Sequence, residues 1–138
     1  MLKKSITYVD YNGVERTEDF YFNLSKSELI EWETSYEGGL SQKLKDIVAA
    51  KSAPDIMKFF KEIITKSYGE KLPNGGFKKT KETSENFTYT AAYDILFTEL
   101  ISDDKAAAAF VKGILPADIA AQVENNGSAI PPGVQGSK

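Results

Sequence analysis

The sequence predicts a mostly α domain of about five helices led by a β-hairpin, which is α+β by a strict count, with a disordered C-terminal tail. Three observations carry this. Two short runs rich in aromatic and β-branched residues flank a tight-turn signal near the N-terminus, capped segments of helical period follow, and the composition changes after Asn125. With 138 residues, 41% of them hydrophobic, the chain can bury one core. The expected organisation is a domain over 1–124, with its hairpin at 4–22 and helices from about 26 to 124, and a flexible tail over 125–138.

The first run, Lys4 to Val9, puts Ile6 and Tyr8 on one face; the second, Glu15 to Phe22, alternates Phe20 and Phe22 with Asp19 and Tyr21. Between them Asp10-Tyr-Asn-Gly13 supplies the left-handed backbone of a tight turn. A lone hairpin is marginal in water, so its apolar face needs helices over it. Ser25 and Glu28 have capping-box spacing, which starts a first helix near Lys26 carrying Leu29, Ile30, Trp32 and Tyr36 and stopping at Gly38-Gly39.

A second helix over about Leu40 to Ala50 places Leu40, Leu44, Ile47 and Val48 on one stripe. Pro54 and Asp55 suit the first turn of a third, whose apolar positions are Ile56, Met57, Phe60, Ile63, Ile64 and Tyr68, with Gly69 as its left-handed end. Glu70 to Glu82 contains Pro73-Asn-Gly-Gly76 and little periodicity, and reads as an exposed loop or mobile arm. A fourth helix is predicted from Ser84 to Ile101 and a fifth after a Ser102-Asp103 cap, ended by Gly113. Pro116 to Glu124 forms one more short helix in this reading, and the Gly-, Pro- and Ser-rich stretch after Asn125 cannot bury enough surface to order itself.

Reactive chemistry is sparse. The chain has no cysteine and no histidine, which removes disulfides, thiolate zinc sites, the usual general base and the Ser-His-Asp and Cys-His arrangements. Glu18-Asp19, Glu31 with Glu33, and Asp103-Asp104 are the carboxylate pairs, but strand neighbours point apart, helix residues two apart do not face each other, and aspartates at a helix start act as caps. The loop Asn74 to Thr80 superficially resembles a phosphate cradle, yet it lacks the Gly-x4-Gly-Lys-Ser/Thr spacing and a preceding strand. No enzyme, cofactor or metal site is therefore expected. Nor is a membrane span or signal peptide, since the apolar runs fall well short of the roughly 20 residues a bilayer requires.

Net charge is −3, from 17 basic and 20 acidic residues, which argues against a general nucleic-acid binder, and no specific nucleic-acid partner is expected. The sum hides an order: residues 10–37 hold eight acids and two bases, 38–81 ten lysines and four acids, and 82–138 eight acids and three lysines. Oppositely charged segments folding against each other is the ordinary reading. The sharper one is a basic middle that faces an acidic partner or another copy of the chain, a homo-oligomer. Candidate partner-binding residues are aromatic: Trp32 and Tyr36 at i,i+4 spacing, Phe59, and Tyr93 and Phe97 on the predicted fourth helix. For Trp32, Tyr36 and Phe60 core packing is the favoured role. Phe59 is the best surface candidate, because the stripe of Ile56, Phe60, Ile63 and Ile64 already covers the buried side.

Ile6 to Ser25, Glu37-Gly-Gly-Leu40, the Ala53-Pro54 helix start, Ser67-Tyr-Gly-Glu70 and Phe110 to Asp118 stand in an order and spacing that resemble the tail assembly chaperones of long-tailed bacteriophages, from about Ile6 to about Asp118. The resemblance implies a non-catalytic protein of the infected cytoplasm, absent from the mature virion, that binds the phage tape measure protein, keeps it soluble and promotes assembly of the tail tube protein around it. It also implies, for many members, a longer form of the same chain made by ribosomal frameshifting. The alternative is a structural virion component, of the tail or the head-tail joint, that forms rings by pairing hairpin edges.

Overall fold

The computed structural model describes residues 1–39 and 53–116 and, between them, Gln42, Lys43, Asp46 and Ala49. The described residues form strands β1 (Leu2–Val9) and β2 (Glu15–Phe22), helices α1 (Lys26–Thr34) and α2 (Ala53–Ser67), strands β3 (Tyr68–Lys71) and β4 (Phe77–Lys78), and helices α3 (Lys81–Thr88), α4 (Ala91–Ser102) and α5 (Asp104–Ile114). The strands make one antiparallel sheet in the order β1-β2-β3-β4. The predicted α+β class, with five helices and an N-terminal hairpin, is the observed one. Most of the predicted second helix, the short helix after Pro116 and the tail lie outside the described residues.

The first hairpin pairs Leu2 with Phe22 through to Val9 with Glu15. Asp10 organises its turn: the Asp10 amide donates to the Val14 carbonyl at 2.9 Å, and Asp10 Oδ1 accepts from the Asn12 and Val14 amides, both at 2.9 Å. Gly13 takes φ 83°, the left-handed geometry that the Asn-Gly signal implied. Ile6, Tyr8, Phe20 and Phe22 are buried on one face of the hairpin, while Lys3, Ser5, Thr7 and Asp19 are exposed on the other. The helices therefore cover the sheet on one side.

Phe22 is fully buried, and its ring meets Tyr68, Phe87 and Phe110 edge-on at 5.7, 5.7 and 5.2 Å between centroids. These partners come from β3, α3 and α5, so one side chain joins three elements distant in sequence. Tyr68 stacks on Phe87 at 4.4 Å and 8°. Just beyond Phe22, the Asn23 amide donates to the Ser67 carbonyl and the Leu24 amide to the Ile114 carbonyl, both at 2.8 Å, which satisfies carbonyls at the ends of α2 and α5.

Five expectations are corrected here. The Glu70–Glu82 stretch is not a loose loop but a second hairpin: Asn74, Gly75 and Gly76 close its turn, with the Leu72 amide on the Gly76 carbonyl at 2.8 Å, and β3 pairs with β2. Gly69 does not end α2 in a left-handed conformation; the helix stops at Ser67, and Gly69 lies in β3, where a Cβ would fall 2.6 Å from the Phe77 ring. The predicted helix from Ser84 to Ile101 is broken in two, because Thr90 is extended and its side chain caps α4 by accepting from the Tyr93 amide. Gly113 does not terminate α5 but lies within it, where a Cβ would fall 2.9 Å from Leu2 of β1. The first helix also ends earlier than expected, at Thr34, with Gly38 and Gly39 at positive φ beyond it.

The Ser25 capping box forms as predicted: Ser25 Oγ accepts from the Glu28 amide at 3.2 Å, and Glu28 Oε1 accepts from the Ser25 amide at 2.9 Å. The same Glu28 oxygen accepts from Lys79 Nζ at 2.6 Å, and that ammonium also donates to the carbonyls of Asn23 at 2.6 Å and Lys66 at 3.0 Å. All three Lys79 donors are thus used to tie the β2–α1 junction to the end of α2. Burial pushes the Glu28 carboxyl up, but the Lys79 and Ser25 hydrogen bonds together outweigh it and leave the group below the usual carboxylate value.

A carboxyl lowered by folding contributes stability that is present above its unfolded-state value and is lost as pH falls through the folded one. Glu28→Gln is therefore expected to be less stable than the parent at neutral pH and to show a shallower acid loss of stability in urea titrations; an unchanged acid limb would contradict the clamp. Phe22→Ala should lose about 3–5 kcal/mol in the same assay, the usual range for deleting a buried aromatic ring.

Candidate functional site

The aromatic candidates fall into two clusters. Trp32 of α1 stacks on Phe59 of α2 at 5.6 Å and 18°, Phe59 meets Phe60 at 6.2 Å, and Trp32 Nε1 donates to the Tyr36 hydroxyl at 3.2 Å, which donates on to Glu62 Oε1 at 3.0 Å. On α4, Tyr93 stacks on Phe97 at 5.8 Å and meets Phe87 edge-on at the same distance. Trp32 and Phe59 are buried, and Tyr36, Tyr93 and Phe97 are half-buried against the core. None of the five is exposed.

Phe59 is the clear correction. It lies in the core, and Phe60, expected there, is only half-buried. The line Phe59, Ile63 and Ser67 is buried, and Phe59 is held there by stacking on Trp32 of α1, a contact between helices that the periodicity of α2 does not show. Ser67, one turn beyond Ile63, is also fully buried and satisfies its hydroxyl on the carbonyls of Ile63 at 2.7 Å and Ile64 at 3.3 Å. Burial pushes the hydroxyls of Tyr36 and Tyr93 up, in Tyr36 with Glu62 adding to the effect.

A concave surface among the described residues lies away from these clusters. An open groove of about 490 Å³ runs between α2 and α3, lined by Lys61, Thr65, Lys66, Lys81, Ser84, Glu85, Thr88 and Tyr89. Its floor is fastened where Ser84 Oγ donates to the Thr65 carbonyl at 2.8 Å. Thr80 sets the angle of its α3 wall, because Thr80 and Thr83 form a reciprocal capping box with hydroxyls alone. Tyr89, the C-cap residue of α3, stands at the groove and is 69% exposed. Aromatic pairing did not lead to these residues; the only sign in the sequence was the lysine-rich block from 38 to 81, which contains Lys61, Lys66 and Lys81.

Among the described residues there is no set of three or more Asp or Glu placed to hold a metal ion. The described residues also include no helix long and apolar enough to cross a membrane. The surface thus offers a groove and dispersed apolar side chains.

Comparison with protein families matches residues 1–135 to the phage tail assembly chaperones. The chain belongs to this family. Searches of curated proteins and of solved structures found no match. Membership places the chain in phage tail assembly, among proteins that work by binding tail components. The match spans the hairpin, both aromatic clusters and the groove.

Tyr89→Ala is expected to change stability by less than about 0.5 kcal/mol, as an exposed position should. Phe59→Ala should lose about 3–5 kcal/mol. Chemical denaturation of the two variants checks the assignment of Phe59 to the core and Tyr89 to the surface, and the reverse ranking would contradict it.

Proposed function

We propose that this chain binds the phage tape measure protein, keeps it soluble and promotes assembly of the tail tube around it, without catalysis. The observation that carries the reading is the family match over residues 1–135. In this reading the protein acts in the cytoplasm of the infected bacterium and is absent from the mature virion. The tail tube protein and a frameshifted longer form of the chain are its further partners.

The surface supports such a role physically. A long helical client presents apolar stripes that would self-associate in water, and reversible cover requires dispersed apolar contacts within a charged surround. Ile30, Met57, Tyr89, Ile95 and Ile101 are exposed on or beside α1, α2, α3 and α4 in this way. Binding of this kind releases readily, as handover to tail tube subunits demands.

Co-expression with overlapping tape measure segments tests the reading. The expected result is soluble recovery of particular segments that co-elute with this chain on a sizing column. A chain that leaves every segment insoluble and itself elutes as a discrete high-order ring would instead favour a structural virion component.

A further inference from the structure

The α2–α3 groove carries cations that the carboxylates of the described residues do not closely neutralise. Other lysines of the basic block have internal roles: Lys79 clamps Glu28 and two carbonyls, and Lys71 lies 4.9 Å above the Tyr21 ring. Along the groove stand Lys61, Lys66 and Lys81, with Glu85 as the one acid. Lys61 and Lys66 have no carboxylate partner among the described residues, and Lys81 reaches Glu85 only at 3.9 Å. Tyr89 lines the same groove, with no ring neighbour among the described residues.

We propose that this groove receives an acidic helical segment of the client, whose carboxylates meet Lys61, Lys66 and Lys81 while an apolar side chain packs on Tyr89. This rests on the chaperone reading above and names the kind of client segment that the site would take. Charge complementarity supports it: three ammonium groups around an open groove of about 490 Å³ suit a few carboxylates on one helix face. With Tyr89 as the one aromatic ring in its lining, the groove has too few rings for a single-stranded nucleic-acid track, where bases stack in succession. Exposed ion pairs contribute little each and weaken with salt, so the grip is reversible by design of its chemistry.

The protein contains its own reporter. Trp32 is the only tryptophan, and the Lys66 ammonium lies 5.6 Å from its ring centre. A carboxylate that draws Lys66 away from the ring changes the Trp32 emission.

The test titrates the full chain with an amphipathic Glu/Leu peptide, its Lys/Leu counterpart and poly-uridylate, read by anisotropy of the labelled probe and by Trp32 emission. The expected result is binding of the acidic peptide alone, weakened about tenfold or more by Lys61→Glu with Lys66→Glu and by Tyr89→Ala, and unchanged by Lys58→Glu, outside the groove on the same helix. Lys61→Gln with Lys66→Gln, checked for native circular dichroism, gives the same ordering should the charge reversal disturb folding. Equal loss in Lys58→Glu, binding of poly-uridylate as tight as that of the peptide, or no binding of the acidic peptide overturns the proposal. The same variants against tape measure segments separate the two readings. Segments that still co-elute with the Lys61/Lys66 variants remove the groove and leave the chaperone role, whereas groove-dependent peptide binding without capture of any segment by the parent chain removes the chaperone role.

Discussion

Burial of Phe22 is the constraint on which the other contacts depend. Its ring touches β3, α3 and α5 at once, and the two residues after it bond the ends of α2 and α5 through their backbone amides. Local forces alone would leave a hairpin and several short helices, each marginal in water. Closing the chain around one aromatic ring converts those pieces into a sheet with a helical cover. The Lys79 ammonium then fixes the corner where β2, α1 and α2 meet, with every donor satisfied.

That corner also bears on the surface. Lys79 directly precedes the Thr80 cap of α3, so its attachment to Asn23, Glu28 and Lys66 holds the start of one groove wall against the end of the other. Ser84 bonding to Thr65 sets the depth between them. The groove is therefore a consequence of core closure, with Lys61 and Lys81 exposed along it and Lys66 lying over the Trp32 ring.

Much of the fold was legible because its signals are local. Alternating aromatics with Asn12-Gly13 gave the first hairpin away, and the Ser25-to-Glu28 spacing located the start of α1. What escaped depends on contacts across the chain. Gly69 resembles a helix terminator until Phe77 is seen lying over it, and Ser67 looks like a surface residue until its hydroxyl is found bonded within its own helix. Phe59 lies in the core, not on the predicted surface, because Trp32 of α1 stacks on it. Thr90 interrupts an otherwise continuous helical pattern because its hydroxyl caps α4, a role that the same residue inside a helix would not announce. At the candidate site, the lysine-rich block was visible in one dimension, but its sorting into a core clamp and a groove rim was not.

Amide hydrogen exchange of the full chain, with and without a tape measure segment that co-elutes with it, tests most directly the claim that a closed aromatic core presents the α2–α3 groove to the client. The account predicts added protection confined to residues 61–66 and 81–89, with exchange at Phe22, Tyr68 and Phe110 unchanged. Added protection centred on β1, or opening of the Phe22 cluster when the segment binds, would contradict it.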